Sequence, residues 1–206
     1  FVYLSSMEVY GAHETDVPIY EDSPTGMDPM SVRSSYPQAK LLCENLCASY
    51  CSEYKVPAKV IRLAQTFGAG VPVNDTRVFA YFANAVLHGK DIILRTSGES
   101  KRAYLDTVDA VTAILTVLLL GQEGEAYNAA NPETYCSILE MAHMVADVFG
   151  DGKVQVIIQE EESSIFSPPH RLNLQSDKLC GLGWQPITGL TEMYRHMLEA
   201  FQYEAS

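Results

Sequence analysis

Tyr36 and Lys40 lie four residues apart, with Pro37 directly after the tyrosine. On a helix this spacing places both side chains on one face. An ammonium group close to a phenol favours the phenolate by opposite charge, so such a pair can act as a general base. With 12 tyrosines in the chain, the spacing also arises by chance, and a surface pair is the alternative interpretation.

A second group of polar side chains follows an apolar segment at the start of the sequence. Phe1 to Leu4 predicts a buried strand, and Ser5, Ser6 and Glu8 come directly after it. In open α/β sheets, ligands bind beyond the carboxyl ends of the strands. These hydroxyl and carboxylate groups are therefore candidates for a binding or catalytic site.

The elements that would position these residues follow an α/β pattern. Short apolar segments alternate with longer helical ones, which is typical of an α/β fold with a parallel sheet. Strands are predicted at 1–4, 58–63, 91–94, 101–104, 126–129 and 154–158. Helices are predicted at 35–54, 75–88, 107–120, 137–149, 176–180 and 190–201, with a glycine-bearing loop at 66–72 and an acidic, proline-rich loop at 160–169.

Composition excludes several classes of function. The formal net charge of −12 disfavours nucleic acid and anionic membranes as partners, although a few arginines in one pocket could still bind an anionic small molecule. No apolar run reaches the roughly 20 residues that a membrane helix needs. The five cysteines have no metal-like spacing, so we expect no metal site and a reducing, cytoplasmic location.

Four motifs in the same order resemble those of the extended short-chain dehydrogenase/reductase family, the NAD-dependent nucleotide-sugar epimerases and dehydratases. Ser5 to Gly11 is similar to the serine or threonine motif at a strand end, and Tyr36 to Lys40 to Tyr-x-x-x-Lys. Arg62 to Gly68 is similar to Arg-x-x-Asn-x-Tyr-Gly, with Gln65 and Phe67 as departures. Gly98 to Asp109 is similar to the block of a glycine, an arginine and Val-x-Asp.

The resemblance implies the C-terminal part of a Rossmann-like parallel sheet with a smaller α/β substrate-binding lobe. Residues 1–66 would belong to the NAD-binding domain with the catalytic Ser, Tyr and Lys. Residues 67–206 would form mainly the substrate lobe, with segments that return to the sheet. The family's Gly-x-x-Gly-x-x-Gly turn occurs nowhere in the sequence. We therefore expect an upstream segment to be missing, and the isolated chain to bind NAD weakly and to be inactive.

The resemblance also implies catalytic roles. Tyr36 would take the proton from a sugar hydroxyl while NAD⁺ accepts the hydride, and Lys40 would hold the nicotinamide ribose and assist Tyr36. Ser6 would hydrogen-bond the same sugar oxygen. Ser5 is either a cofactor contact or a buried strand-end hydroxyl. Glu8 is either a catalytic base or a structural carboxylate.

For the substrate, a nucleotide-diphosphate sugar, the resemblance implies that Arg102 grips the diphosphate. Gln65 stands where the family often has an asparagine that meets the substrate. Arg171 is a second candidate for a phosphate contact, with a surface salt bridge as the alternative. A homodimer through the helix that bears Tyr36 is also implied, and Leu41, Leu42 and Leu46 offer apolar surface for it, unless they pack in the core.

Met7 bears on the type of reaction. Family members that eliminate water usually place an Asp and a Glu after the Ser or Thr, whereas Met7 cannot transfer a proton. Epimerisation is therefore favoured over dehydration, and Glu8 keeps a decarboxylase-like reaction open. The alternative from another class is a sugar-nucleotide-binding or scaffold module without catalysis.

Overall fold

The computed structural model describes residues 1–161 and 169–204 of the 206-residue chain. They form an α/β fold whose sheets are mainly parallel, which confirms the predicted class. The strands are β1 Val2–Ser6, β2 Pro18–Ile19, β3 Lys59–Leu63, β4 Gln65–Phe67, β5 Ile92–Leu94, β6 Lys101–Asp106, β7 Ala126–Ala129, β8 Asn131–Ser137, β9 Val156–Ile158 and β10 Arg171–Leu174. The α-helices are α1 Ser35–Tyr54, α2 Val78–Leu87, α3 Thr107–Leu120, α4 Ile138–Phe149, α5 Asp177–Cys180 and α6 Leu190–Glu204, and short 3₁₀ helices cover Met7–Tyr10 and Val32–Ser34.

The first sheet positions the residues of the tyrosine and serine motifs. Its order is β1-β3-β7, all parallel, and Ser6 lies beside Leu63 in the register. Both α1 and α3 contact these strands. Pro37 fits in the first turn of α1, where a backbone N–H would have no intrahelical partner. The carboxyl ends of β1 and β3 therefore meet close to the start of α1.

The second sheet brings the arginine motif to the same region. Its order is β2-β10-β6-β4, and β8 adds an antiparallel pairing to β6. Gln65 on β4 lies beside Tyr104 on β6. A Cβ on Gly68 would lie 2.6 Å from the Asp106 carboxylate, and Gly68 has a φ of +151°, so only glycine fits at this close approach. A third, two-stranded sheet pairs β5 with β9.

Two apolar clusters fill the interior. One packs beneath the first sheet and β6 and includes Ile61, Leu105 and Leu172. The other is rich in aromatic residues, and in it Phe67 stacks on Phe79 with ring centroids 4.6 Å apart. Full burial of each such side chain contributes roughly 1.5–3 kcal/mol. Because Phe67 ends β4, the aromatic cluster anchors the strand that carries Gln65.

Most predicted elements are present, and four strands were missed. The bounds of α1, α3 and β7 agree with the sequence prediction, whereas β2, β4, β8 and β10 were not predicted. The loop predicted at 66–72 is partly wrong, because β4 extends through Phe67 by pairing with β6. Most of the loop predicted at 160–169 lies outside the described residues. The division into domains at residue 66 stays a prediction.

Candidate active site

The carboxyl ends of β1, β3 and β4 open into a cavity of about 370 Å³. Its lining residues are Ser5, Ser6, Met7, Glu8, Tyr36, Leu63, Ala64, Gln65, Thr66, Arg77 and Arg102. The structure thus brings together every predicted site residue except Lys40 and Arg171. A larger cavity of about 770 Å³ lies at the C-terminal end of α2 and contains none of the motif residues. Chemistry rather than size therefore selects the first cavity as the candidate active site.

Tyr36 and Lys40 lie on one face of α1, as predicted, but the lysine faces the ring rather than the hydroxyl. The Tyr36 side chain is about half exposed, and its hydroxyl has no hydrogen-bond partner among the described residues. Lys40 Nζ lies 5.7 Å from the centroid of the Tyr36 ring and donates to the main-chain oxygen of Leu4 at 2.8 Å. This bond ties the start of α1 to β1.

The two serines at the end of β1 have different surroundings. Ser6 Oγ accepts a hydrogen bond from the Glu8 amide at 3.3 Å, and within the described chain no acceptor faces its own O–H. Ser5 is buried and donates to Glu44 Oε1 at 2.5 Å. Ser6 can therefore donate to a ligand, while the hydroxyl of Ser5 is committed to a protein contact. Cofactor contact by Ser5 stays a prediction.

Beneath the cavity lies a buried polar network that the sequence motifs did not reveal. Arg62 Nη2 lies 2.7 Å from Glu44 Oε2, and Arg62 Nη1 donates to the Tyr10 hydroxyl at 2.7 Å. Burial opposes the charge of Arg62, but the hydrogen bonds and charge interactions with Glu44 and Tyr10 together outweigh it and raise the pKa of Arg62 above its usual range. Burial also raises the pKa of Tyr10, although Arg62 acts in the opposite direction. Both groups therefore keep their ordinary protonation at neutral pH.

The opposite wall of the cavity carries the arginine of the fourth motif. Arg102 Nη1 donates to Gln65 Oε1 at 2.8 Å, and Nη2 lies 2.9 Å from His170 Nε2. Its Nε is buried and has no hydrogen-bond partner in residues 1–161 and 169–204. The guanidinium group is thus held in place at two nitrogens, and each of these keeps a second N–H that has no partner in the described part of the chain.

Arg77, at the start of α2, lines the same cavity and was missed by the sequence analysis. It forms an ion pair with Asp75 at 2.5 Å, and its guanidinium lies 4.7 Å from the centroid of the Phe79 ring. The hydrogen bond from Arg77 lowers the pKa of Asp75. The cavity therefore has a second positive group whose partner stays ionised.

The structure does not bring Arg171 to this cavity. Arg171 on β10 lies beside Lys101 in the register, and because side chains alternate along a strand, it faces the side of the sheet opposite to Arg102. Its Nε lies 3.3 Å from Asp16 Oδ1, and its Nη1 donates to the Glu14 main-chain oxygen at 3.1 Å. A phosphate contact by Arg171 stays a prediction.

The outer face of α1 carries part of the apolar surface that was predicted for a dimer. Leu42 and Leu46 are exposed, whereas Leu41 is half-buried against the first apolar cluster. A homodimer stays a prediction. In the described part of the chain, no group of three or more His, Cys, Asp or Glu could hold a metal ion, and no helix is both long and apolar enough to cross a bilayer.

Comparison with known proteins gives matches along nearly the whole chain. Residues 1–130 match the model of the NAD dependent epimerase/dehydratase family. UDP-glucuronic acid decarboxylase 1 of Xenopus tropicalis is 29% identical over 201 residues, which are 97% of this chain and 46% of that protein. dTDP-D-glucose 4,6-dehydratase of Mus musculus is 27% identical over 98% of this chain and 55% of that protein.

Among solved structures, UDP-glucose 4-epimerase of Thermotoga maritima with UDP-glucose matches with a TM-score of 0.83 and 22% identity. The match covers 100% of this chain and 64% of that one. At this identity the likeness shows the fold alone. The chain spans about half the length of the curated relatives that it matches.

Proposed function

Because the chain belongs to the NAD dependent epimerase/dehydratase family, we propose that it binds a nucleotide-diphosphate sugar and supplies residues for the NAD-dependent oxidation of one sugar carbon. The observation that carries this proposal is the shared cavity of Ser6, Tyr36 and Arg102. A proton acceptor, a hydroxyl donor and a cation for a diphosphate thus line one space of about 370 Å³. That volume falls in the usual range for small-molecule sites, roughly 300–1,000 Å³.

Tyr36 and Ser6 would act on one sugar hydroxyl. Tyr36, as phenolate, would take its proton while the hydrogen on the same carbon leaves as hydride. Ser6 would donate to the oxygen as it becomes a carbonyl, because a preorganised donor stabilises the charge that develops there. Among the described residues, the O–H of Ser6 and the hydroxyl of Tyr36 have no protein partner, which supports these roles.

The residues present fit the nicotinamide end of NAD. Lys40 uses one N–H for the Leu4 oxygen and keeps donors for a ribose, next to the half-exposed Tyr36. When bound, NAD would supply the acceptor and donor of hydride. For the pyrophosphate, the sequence has no Gly-x-x-Gly-x-x-Gly turn. We therefore expect the 206-residue chain to bind NAD⁺ weakly and to give no turnover alone, and measurable turnover would contradict this expectation.

Arg102 would bind the diphosphate, with Arg77 as a second cation. A guanidinium group matches phosphate oxygens through its fork of donors. Gln65 and His170 hold the Arg102 fork before a ligand arrives, and its buried Nε lacks a partner among the described residues. A diphosphate oxygen would accept from the N–H groups on Nη1 and Nη2 that Gln65 and His170 leave unused.

The surroundings of Ser6 favour epimerisation over dehydration. Met7 is 3% exposed and cannot transfer a proton, so the cavity contains Glu8 but lacks the neighbouring Asp of the acid and base pair used for loss of water. Oxidation, rotation of the keto sugar and re-reduction from the other face require only Tyr36, Ser6 and the cofactor.

A decarboxylase is the second candidate. The 29% identity with UDP-glucuronic acid decarboxylase 1 and the position of Glu8 in the cavity lining favour it. Oxidation of a sugar acid at the carbon β to its carboxylate would yield a β-keto acid, which loses CO₂ readily. Preference for UDP-glucose over UDP-glucuronic acid in binding would count against this candidate.

The proposal is tested by isothermal titration of the 206-residue chain with NAD⁺ and with UDP-, dTDP-, GDP- and CDP-sugars. We expect binding of at least one sugar nucleotide and much weaker binding of NAD⁺. Binding of no sugar nucleotide by the folded chain would overturn the proposal. Tight sugar-nucleotide binding that is indifferent to Tyr36, Ser6 and Arg102 would instead support a binding or scaffold module.

A further inference from the structure

Glu44 lies on the buried side of α1, in line with the two residues of the tyrosine motif. Tyr36, Lys40 and Glu44 follow one another at intervals of four, so they share one face of the helix. Glu44 is 8% exposed, and no step of the proposed reaction uses it. A carboxylate at this depth is costly unless it is paired. The partners of Glu44 therefore indicate what it does.

The carboxylate of Glu44 joins α1 to two strands. Ser5 on β1 donates to Oε1 at 2.5 Å. Arg62 on β3 donates from Nε to Oε1 at 3.1 Å and from Nη2 to Oε2 at 2.7 Å. A guanidinium fork on a carboxylate fixes orientation as well as distance. One side chain thus sets the position of α1 against both strands.

Arg62 extends this constraint to the segment that follows Ser6. Its Nη1 donates to the Tyr10 hydroxyl at 2.7 Å and to the main-chain oxygen of Glu21 at 2.9 Å. Tyr10 ends the 3₁₀ helix that begins directly after Ser6, and its hydroxyl donates to Asn128 Oδ1 on β7 at 2.7 Å. The network therefore reaches both the helix that bears Tyr36 and the turn that follows Ser6.

We propose that Glu44 and Arg62 are positioning residues, which hold Tyr36 and Ser6 at the separation that lets both reach one sugar oxygen. This inference rests on the proposed function. Neither Glu44 nor Arg62 lines the cavity, so both act through other residues. Replacing a buried ion pair by packed apolar side chains often leaves stability unchanged. An effect of the ion pair on the positions of Tyr36 and Ser6 can therefore be separated by experiment from its effect on the stability of the chain.

The test compares three variants of the chain with the wild type. The double variant Glu44→Met/Arg62→Met keeps the bulk of the pair and removes its directional contacts. Ser5→Ala removes only the link to β1. Glu53→Gln is the matched control, because Glu53 is an exposed carboxylate on the same helix. The measurements are the melting temperature, the affinity for UDP-glucose, UDP-glucuronic acid and dTDP-glucose, and amide exchange in the first turns of α1.

We expect the double variant to melt within a few degrees of the wild type but to bind the preferred sugar nucleotide about 10-fold more weakly, the equivalent of one or two hydrogen bonds. Amides near Tyr36 should exchange about 10-fold faster, since the helix start loses its tie to the strands. Ser5→Ala should lose about threefold in affinity, and Glu53→Gln should match the wild type in every measurement.

Wild-type affinity and wild-type exchange in the double variant would overturn the inference. If the double variant does not fold, Ser5→Ala provides the test instead. Wild-type affinity and wild-type amide exchange in Ser5→Ala would then overturn the inference. If the wild type binds no UDP-, dTDP-, GDP- or CDP-sugar, the proposed function is what fails. Amide exchange near Tyr36 in the variants then decides the positioning role by itself.

Discussion

The two walls of the cavity differ in charge and in how far their polar groups are already paired. On one wall, Ser6 and Tyr36 present hydroxyl groups, and in the described chain neither donates to a protein acceptor. On the other wall, Gln65 and His170 hold two nitrogens of Arg102. The cation is oriented before a ligand arrives, which lowers the cost of binding. The hydroxyls keep their hydrogen-bonding capacity for the reacting oxygen.

The largest expected loss of affinity comes from removing Arg102, the cation that Gln65 and His170 hold. Arg102→Ala should weaken sugar-nucleotide binding about 100-fold, because charge-assisted hydrogen bonds are each worth roughly 1.5–3 kcal/mol. Isothermal titration measures this loss. Arg95→Ala is the matched control, since Arg95 is an exposed arginine paired with Glu161 and lies outside the cavity lining. If the Arg102 and Arg95 variants bound the sugar nucleotide equally well, Arg102 would not be the main source of affinity.

Arg77 allows a finer test of the same wall. Arg77→Ala should weaken binding about 10-fold, less than Arg102→Ala, because the Arg77 side chain is 51% exposed and already paired with Asp75. Its contribution should shrink at high salt, since salt screens exposed charges. A titration series in NaCl measures this dependence. A loss that is larger than that of Arg102→Ala would reverse the order of the two arginines.

The wall formed by Ser6 and Tyr36 should contribute little to the affinity for a sugar nucleotide. Tyr36→Phe removes one hydroxyl and should weaken sugar-nucleotide binding by about threefold, the value of one neutral hydrogen bond. The melting temperature should stay unchanged, because the hydroxyl has no partner in the described structure. A loss of affinity as large as that of Arg102→Ala would mean that the wall of Ser6 and Tyr36 also contributes strongly to sugar-nucleotide binding.

A change remote from both walls should leave affinity unchanged. Ser137→Ala removes the capping box at the start of α4 and should cost about 1 kcal/mol of stability, or roughly 2–4 °C in Tm. Hydrogen bonds from Ser137, first from its amide, lower the pKa of Glu140 in the folded protein. The stabilising contribution of Glu140 should therefore be complete above pH of about 4.3 and be lost as pH falls through the lower folded value.

Thermal melts of the wild type, Ser137→Ala and Glu140→Gln across this pH range measure both effects. The gap in Tm between the wild type and Glu140→Gln should close as the pH falls. A gap that is constant with pH would contradict the role of the ionised carboxylate. Reduced sugar-nucleotide affinity in Ser137→Ala would show that stability and the cavity are coupled.

Local sequence patterns predicted the elements with strong periodicity. The unbroken helical pattern gave α1 as Ser35–Tyr54 and α3 as Thr107–Leu120 with their observed bounds. The sequence of β8, Asn131–Ser137, is mostly polar and contains a proline, so it has no strand-like alternation. It is a strand because it pairs with β6 and because Thr134 bonds to Tyr104 at both main-chain groups. Such long-range pairing cannot be deduced from local pattern.

The same limit applies to the site. Motif order selected Ser6, Tyr36, Gln65 and Arg102, which the structure places around one cavity, because each follows or begins a recognisable element. Arg77 had no motif to mark it. For Glu44 a signal was present, since a carboxylate four residues beyond Lys40 lies on the buried face of α1 and requires a partner. Which arginine would supply that partner depended on the order of the strands.

The central claim is that the sugar of a bound sugar nucleotide lies against Tyr36 and Ser6 while its diphosphate lies against Arg102. Intermolecular nuclear Overhauser effects between a bound UDP-sugar or dTDP-sugar and the chain labelled at tyrosine and arginine test this claim most directly. We predict contacts from sugar ring protons to the Tyr36 ring, and perturbation of the Arg102 Nε–H on binding. Contacts confined to residues outside the cavity, with Tyr36 and Arg102 unperturbed, would contradict the account.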